Sequence, residues 1–115
     1  MVNIKNIKDF TIIGIDNGFI KVELLNYGAS IYSIKTKDYL GNFEDIVLQY
    51  ENIEDYIDNN IYLNATIGPI AGRVKNAYLN IDNKEYFLDK NSDKKHCLHS
   101  GSLALSYKFF DYEVN

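Results

Sequence analysis

The sequence predicts an all-β fold, an antiparallel β-sandwich or barrel, on three observations. Short apolar runs alternate with polar residues at a period of two, as in strands that bury one face. Turn-forming residues separate these runs at short intervals. Ten tyrosines and six phenylalanines, without tryptophan, suit the pleated surface of a sheet. We therefore expect six or more short strands in a single domain over residues 1–115.

The first predicted element is a hairpin over residues 11–25. Two apolar runs flank Asp16-Asn17-Gly18, residues that tolerate the positive φ of a tight turn. Charged residues alternate with apolar ones in the second arm. This alternation predicts one buried face made of Ile20, Val22 and Leu24.

Strand-like runs continue over residues 29–36 and 45–50, with a turn at 38–42 between them. A second hairpin is predicted around the polar turn at 82–84, and a last sheet-like run covers 104–114. These runs complete the predicted set of strands.

One segment, Asn52–Ile57, has a helical pattern. Asn52 is a candidate N-cap, and Ile53, Tyr56 and Ile57 are spaced for one face of a helix. We expect at most two turns.

The chain stops at residues 111–115, inside the last predicted strand and without a closing turn. The sequence therefore looks cut short, and we expect an open sheet edge through which two copies could associate.

Charge and cysteine content exclude several classes of protein. The net charge of −4 is spread along the chain, and no basic cluster exceeds Lys94-Lys95, so nucleic acid is not an expected partner. No apolar run is long enough for a signal peptide or a membrane span. The single cysteine, Cys97, cannot form an internal disulfide. These features together predict a cytoplasmic protein that does not bind membranes.

The stretch IGPIAGRV, residues 67–74, contains the only proline and the only arginine of the chain, although lysine occurs eleven times. Glycine and proline let a backbone turn sharply and approach a ligand. The guanidinium of Arg73 is a planar donor fork that suits paired oxygens. Arg73 is therefore a candidate ligand-binding residue. The alternative is a structural role, in which it pairs with an internal carboxylate or caps carbonyls at the end of a strand.

A second candidate cluster is KHCLHSG, residues 95–101, which holds both histidines and Cys97. A zinc site is disfavoured, because neighbours on an extended segment face opposite sides. A Cys97–His99 nucleophile pair lacks an orienting third group. His99 can instead project into a polar pocket, or it can be a structural loop residue. For His96, beside two lysines, we expect a solvated side chain.

In order, the landmarks NYGA from Asn26, IGPIAGRV, and CLHSG resemble the N-terminal part of the aldose 1-epimerases, or galactose mutarotases. The resemblance implies a large antiparallel β-sandwich that interconverts the α and β anomers of aldoses such as galactose and glucose, without metal or cofactor. By the same resemblance, Gly72 and Arg73 would contact sugar hydroxyls. His99 would lie over the sugar as a catalytic and binding residue.

The sequence departs from the family pattern in two motifs and in length. The usual ANRI is AGRV here and the usual HGG is HSG, which leaves the preferred sugar open. The resemblance places a second histidine as general acid, a hydroxyl-binding aspartate and a glutamate base beyond residue 115. We therefore expect an epimerase-like protein that is truncated and has little activity alone. The alternatives are a non-catalytic carbohydrate-binding β-sandwich and an assembly module.

Overall fold

A computed structural model describes residues 1–115 and contains three antiparallel sheets. The largest is a five-stranded meander in which each strand pairs with the next along the chain. Its strands are β1 (Val2–Ile7), β2 (Phe10–Asp16), β3 (Ile20–Leu25), β4 (Ser30–Lys37) and β5 (Phe43–Asp45). The predicted all-β antiparallel class is confirmed.

The first predicted hairpin is formed by β2 and β3. Gly18 has φ of +84° at its turn, and the Asp16 carboxylate accepts the Gly18 N–H at 2.7 Å. The Asn17 side chain accepts the N–H groups of Phe19 and Ile20 at 3.0 and 2.9 Å. The side chains of the turn therefore accept hydrogen bonds from backbone N–H groups that have no partner in the β2–β3 ladder.

The predicted burial of the second arm is wrong in part. Val22 and Leu24 are only half-buried, and Ile20 is 38% exposed. The buried apolar cluster instead takes Leu25 from the end of β3. Its members come from β2, the end of β3, the chain after it and the segment around residue 55: Phe10, Ile12, Leu25, Tyr27, Ile53 and Tyr56.

Two other expectations about this sheet need correction. The alternating residues of β1 form an additional strand that was not predicted, and it pairs with β2 over its whole length. The strand expected over 45–50 ends at Asp45, because the Asp45 carboxylate accepts the N–H groups of Ile34 and Val47 at 3.3 and 3.2 Å. Ile46 still donates its N–H to the Ile34 carbonyl at 2.8 Å, and residues 47–50 lie outside the sheet.

The predicted helix is a short 3-10 turn over Ile53–Tyr56. Asn52 precedes it with extended backbone angles, but its side chain makes no capping hydrogen bond. Ile53 and Tyr56 are buried as expected, whereas Ile57 is 46% exposed. No helix of the chain is long and apolar enough to cross a membrane.

The second half of the chain contains shorter elements. β6 (Arg73–Val74) pairs with β9 (Cys97–Leu98), and β7 (Tyr78–Ile81) pairs with β8 (Lys84–Phe87). The β7–β8 pair is the second predicted hairpin, with positive φ at Asp82 and Asn83. Three further 3-10 turns cover Lys75–Ala77, Gly101–Leu103 and Leu105–Tyr107.

The strand predicted over residues 104–114 is wrong. Its first part forms the last 3-10 turn, and residues 111–115 have no regular structure. The segment between them returns to the end of β3, where Gly28 N–H donates to the Lys108 carbonyl and Phe110 N–H to the Asn26 carbonyl, both at 2.7 Å. Gly28 is required there, because a Cβ would lie 2.6 Å from the Ser106 carbonyl oxygen.

Candidate functional site

The glycine-rich turn leads directly into β6, which aligns the candidate residues with β9. Arg73 pairs with Leu98, and Val74 pairs with Cys97. Gly72 has φ of +78°, and a Cβ placed on it would meet nothing within 4 Å. Glycine is therefore needed here for its conformation, and the backbone around it is open to a ligand.

Gly72 and His99 are joined by two hydrogen bonds. The His99 N–H donates to the Gly72 carbonyl at 3.0 Å, and the Gly72 N–H donates to Nδ1 of the His99 ring at 3.0 Å. A backbone N–H can only donate, so Nδ1 carries no proton. The neutral ring therefore holds its proton on Nε2, which has no hydrogen-bond partner within the protein.

The backbone around His99 is strongly bent. His99 and Ser100 have φ of +49° and +69°, in the left-handed region. The buried Ser100 hydroxyl accepts the Ile70 N–H at 2.8 Å and so ties this bend to the glycine-rich turn. Backbone angles of this kind persist only where surrounding contacts hold them, and they are frequent at functional sites.

Arg73 is exposed and is anchored at one nitrogen. Its Nε donates to the Ser92 hydroxyl at 3.1 Å. No carboxylate oxygen lies within 4.0 Å of its guanidinium, since the chain has only two ion pairs, Lys8–Glu54 and Lys21–Asp16. The alternative of an internal carboxylate partner is therefore wrong, and the two terminal nitrogens keep their donors free of protein partners.

Tyr62 packs against His99 and Tyr107 packs against Tyr62, and nothing in the sequence singles out either tyrosine. The rings of Tyr62 and His99 meet edge to face, with centroids 4.8 Å apart and planes at 77°. Tyr107 lies 6.1 Å from Tyr62, and its burial raises the pKa of its hydroxyl to about 12. The Tyr107 phenol is therefore neutral at physiological pH. No spacing or motif distinguishes them from the other eight tyrosines.

The other two residues of the second cluster have structural roles. Cys97 is completely buried, and that burial raises the pKa of its thiol, so a reactive thiolate is disfavoured. His96 is half-buried rather than solvated, and its Nδ1 accepts the Asn76 N–H at 3.0 Å. No three His, Cys, Asp or Glu side chains are grouped to hold a metal ion.

Comparison with known proteins identifies relatives along almost the whole chain. The family model described as aldose 1-epimerase matches residues 11–115. Galactose mutarotase of Homo sapiens is 30% identical over 87 residues, which are 76% of this chain and 25% of that protein. Aldose 1-epimerase of Streptococcus thermophilus is 29% identical over 100 residues, 87% of this chain and 28% of that protein.

Two solved structures share the fold. A GalM/aldose epimerase homologue from C. elegans superposes with a TM-score of 0.82 at 28% identity, over 90% of this chain and 32% of that one. Galactose 1-epimerase from Lactobacillus acidophilus gives 0.71 at 25% identity, over 95% and 32%. The chain thus spans about a quarter of the length of these curated relatives and a third of these solved chains.

Proposed function

The chain belongs to the aldose 1-epimerase family, and on this premise we propose that its site binds an aldose of the galactose or glucose type and serves the interconversion of its α and β anomers. One observation carries the proposal: two sets of donors have no partner in the protein, the terminal nitrogens of Arg73 in β6 and Nε2 of His99, the residue that follows β9.

The donors suit the hydroxyl oxygens of a sugar. With Nε anchored on Ser92, the terminal nitrogens of Arg73 form a fork of fixed direction that fits two neighbouring hydroxyls. Gly72 has no side chain to obstruct the sugar, and the backbone beside it is open. These residues would bind and orient the substrate, which is the main contribution of positioning groups to a rate.

Mutarotation needs an acid that protonates the ring oxygen and a base that takes the proton of the anomeric hydroxyl. His99 presents a proton on Nε2 and would donate it, as a hydrogen bond or in transfer, to a sugar oxygen. No carboxylate accepts a hydrogen bond from His99 or Arg73, so these contacts contain no base. We therefore expect the 115-residue chain to bind the sugar and to accelerate mutarotation little.

The test combines two measurements on the 115-residue chain with galactose and glucose. Calorimetric titration measures affinity, and polarimetry of freshly dissolved α-anomer measures the rate of mutarotation. We expect Arg73→Ala and His99→Ala each to weaken binding by about tenfold or more, since each removes donors to the sugar.

Lys75→Ala is the matched control, because Lys75 is an exposed cation two residues from Arg73 whose side chain makes no hydrogen bond or ion pair. The proposal fails if the folded wild-type chain binds neither sugar, or if Arg73→Ala and His99→Ala bind as Lys75→Ala does. Fast mutarotation that both substitutions abolish would show that the chain supplies its own base.

A further inference from the structure

Tyr62 adds a second constraint to the His99 ring. The Gly72 N–H holds one edge of the imidazole through Nδ1, and the Tyr62 ring packs against it edge to face at 4.8 Å. The hydrogen bond selects the tautomer with the proton on Nε2. The aromatic contact restricts rotation of the ring away from that hydrogen bond, since such pairs favour a defined relative orientation.

Tyr62 is itself held by its loop. Its φ is +55°, its N–H donates to the Asn59 carbonyl at 3.0 Å, and its carbonyl accepts the Ala65 N–H at 3.2 Å. Asn59 is 1% exposed, and its side chain bonds both the N–H and the carbonyl of Leu63, at 2.7 and 2.9 Å. The Tyr62 ring therefore projects from an ordered loop toward the site.

His96 provides a natural comparison within the chain. Its Nδ1 accepts a backbone N–H, that of Asn76, at the same distance of 3.0 Å. No aromatic ring packs against His96, whereas one packs against His99. Both histidines therefore accept a backbone N–H through Nδ1, but a tyrosine packs only against His99, the histidine of the candidate site.

We propose that Tyr62 is a positioning residue that keeps the His99 ring on the Gly72 amide, so that Nε2–H is presented to a sugar oxygen. This role for Tyr62 rests on the proposed function, which supplies the sugar as ligand. It deepens that function by assigning the orientation of the donor to a residue outside the two sequence motifs.

Nitrogen-15 NMR of the imidazoles, recorded at a pH where a histidine ring is neutral, tests the tautomer directly. We expect an unprotonated Nδ1 and a protonated Nε2 for His99. In Tyr62→Leu, we expect solvent exchange of the Gly72 amide to rise about tenfold, because the ring leaves it more often, and galactose affinity to fall roughly three- to tenfold. Loss of the tyrosine's ring current alone would change proton shifts but not these two quantities.

Tyr62→Phe keeps the ring and should preserve both amide exchange and affinity within about twofold. The Asn76 amide on His96 is the internal control and should exchange equally in every variant. A His99 ring protonated on Nδ1 would overturn the proposal, as would unchanged Gly72 exchange in a folded Tyr62→Leu or Tyr62→Met protein. If no sugar binds to any form, the proposed function fails, and the exchange measurements still decide the role of Tyr62.

Discussion

The sheet region, residues 2–45, and the site region, residues 59–107, are built by different means. The sheet region contains four strands of six to eight residues and one of three, all in one antiparallel sheet. The site region contains strands of two to four residues and several turns. Among non-glycine residues with positive φ, the sheet region has only Lys8 and Ala29, whereas the site region has ten: Tyr62, Asn64, Asn76, Ala77, Asp82, Asn83, Asp93, Lys94, His99 and Ser100.

In the site region, side-chain hydrogen bonds to the backbone add to two short ladders, β6–β9 and β7–β8. Asn59 holds Leu63, and His99 holds Gly72. Asn91 likewise bonds both the N–H and the carbonyl of Leu98, at 2.7 and 2.9 Å. A ladder holds regular extended strands side by side. Single bonds of this kind instead hold irregular backbone in place, so that residues distant in the sequence lie close together. The two regions should therefore respond differently to loss of apolar area and to loss of a polar side chain.

In the sheet region, Leu25→Ala should destabilise the chain most. Leu25 is 1% exposed in the main apolar cluster, so truncation removes buried area and leaves a cavity. We expect the free energy of unfolding to fall by about 2–5 kcal/mol, measured by urea denaturation. Leu40→Ala is the control, because Leu40 is 69% exposed and should change stability by less than about 0.5 kcal/mol. Equal losses in the two variants would show that the apolar cluster does not stabilise the sheet region.

A smaller loss is expected in the site region from Asn59→Ala. The substitution leaves the N–H and carbonyl of Leu63 and the Tyr50 hydroxyl without their partner. We expect a loss of roughly 1–3 kcal/mol in urea denaturation and faster hydrogen exchange at the Leu63 amide. Asn60→Ala replaces an exposed neighbour whose side chain makes no hydrogen bond, and it should change neither quantity. If exchange at Leu63 is the same in both variants, Asn59 does not organise this loop.

The same contrast explains what the sequence could predict. Both hairpins were predictable, because turn residues such as Asn17 and Asn83 and alternating strands are local signals. The strand expected over residues 104–114 was wrong, because an alternating pattern does not reveal how far pairing extends: only Phe109 pairs, with Tyr27, and Leu105–Tyr107 forms a 3-10 turn. β1 was missed for the converse reason: a short run of this kind becomes a strand only because β2 offers its edge.

The site could be predicted from the sequence only in part. Arg73 stood out as the lone arginine of a glycine-rich turn, and His99 was one of several interpretations of its cluster. The pairing of β6 with β9 brings their backbones together, because Arg73 pairs with Leu98, 25 positions later, and His99 directly follows Leu98. Tyr62 carries no local signal, because its importance arises from an unusual backbone angle and a contact with a ring 37 positions away.

A smaller change in stability is expected on acidification, which acts through a different carboxylate in each region. Asp45, in the sheet region, is partly buried, which raises its pKa, but bonds from the Ser33 hydroxyl and from the Val47 and Ile34 N–H groups outweigh burial and lower it. Asp89, in the site region, has a pKa lowered by bonds from the Ser102 hydroxyl and N–H. Because folding lowers both pKa values, each ionised carboxylate stabilises the folded chain above the ordinary aspartate pKa of about 4.

That stabilisation is lost as the pH falls from about 4 towards each lowered pKa, when the carboxylate is protonated and its hydrogen bonds weaken. Melting temperatures measured from about pH 6 to pH 2 should therefore fall less steeply in Asp45→Asn and Asp89→Asn than in the wild type. Glu51→Gln, at a carboxylate that accepts no hydrogen bond, should follow the wild-type slope. Hydrogen exchange shows which region loses stability. In acid, exchange should speed up at the Ile34 and Val47 amides when Asp45 is protonated, and at the Ser102 amide when Asp89 is protonated. Acid opening of Ser102 that persists unchanged in Asp89→Asn would show that the site region is held at this point by something other than its carboxylate.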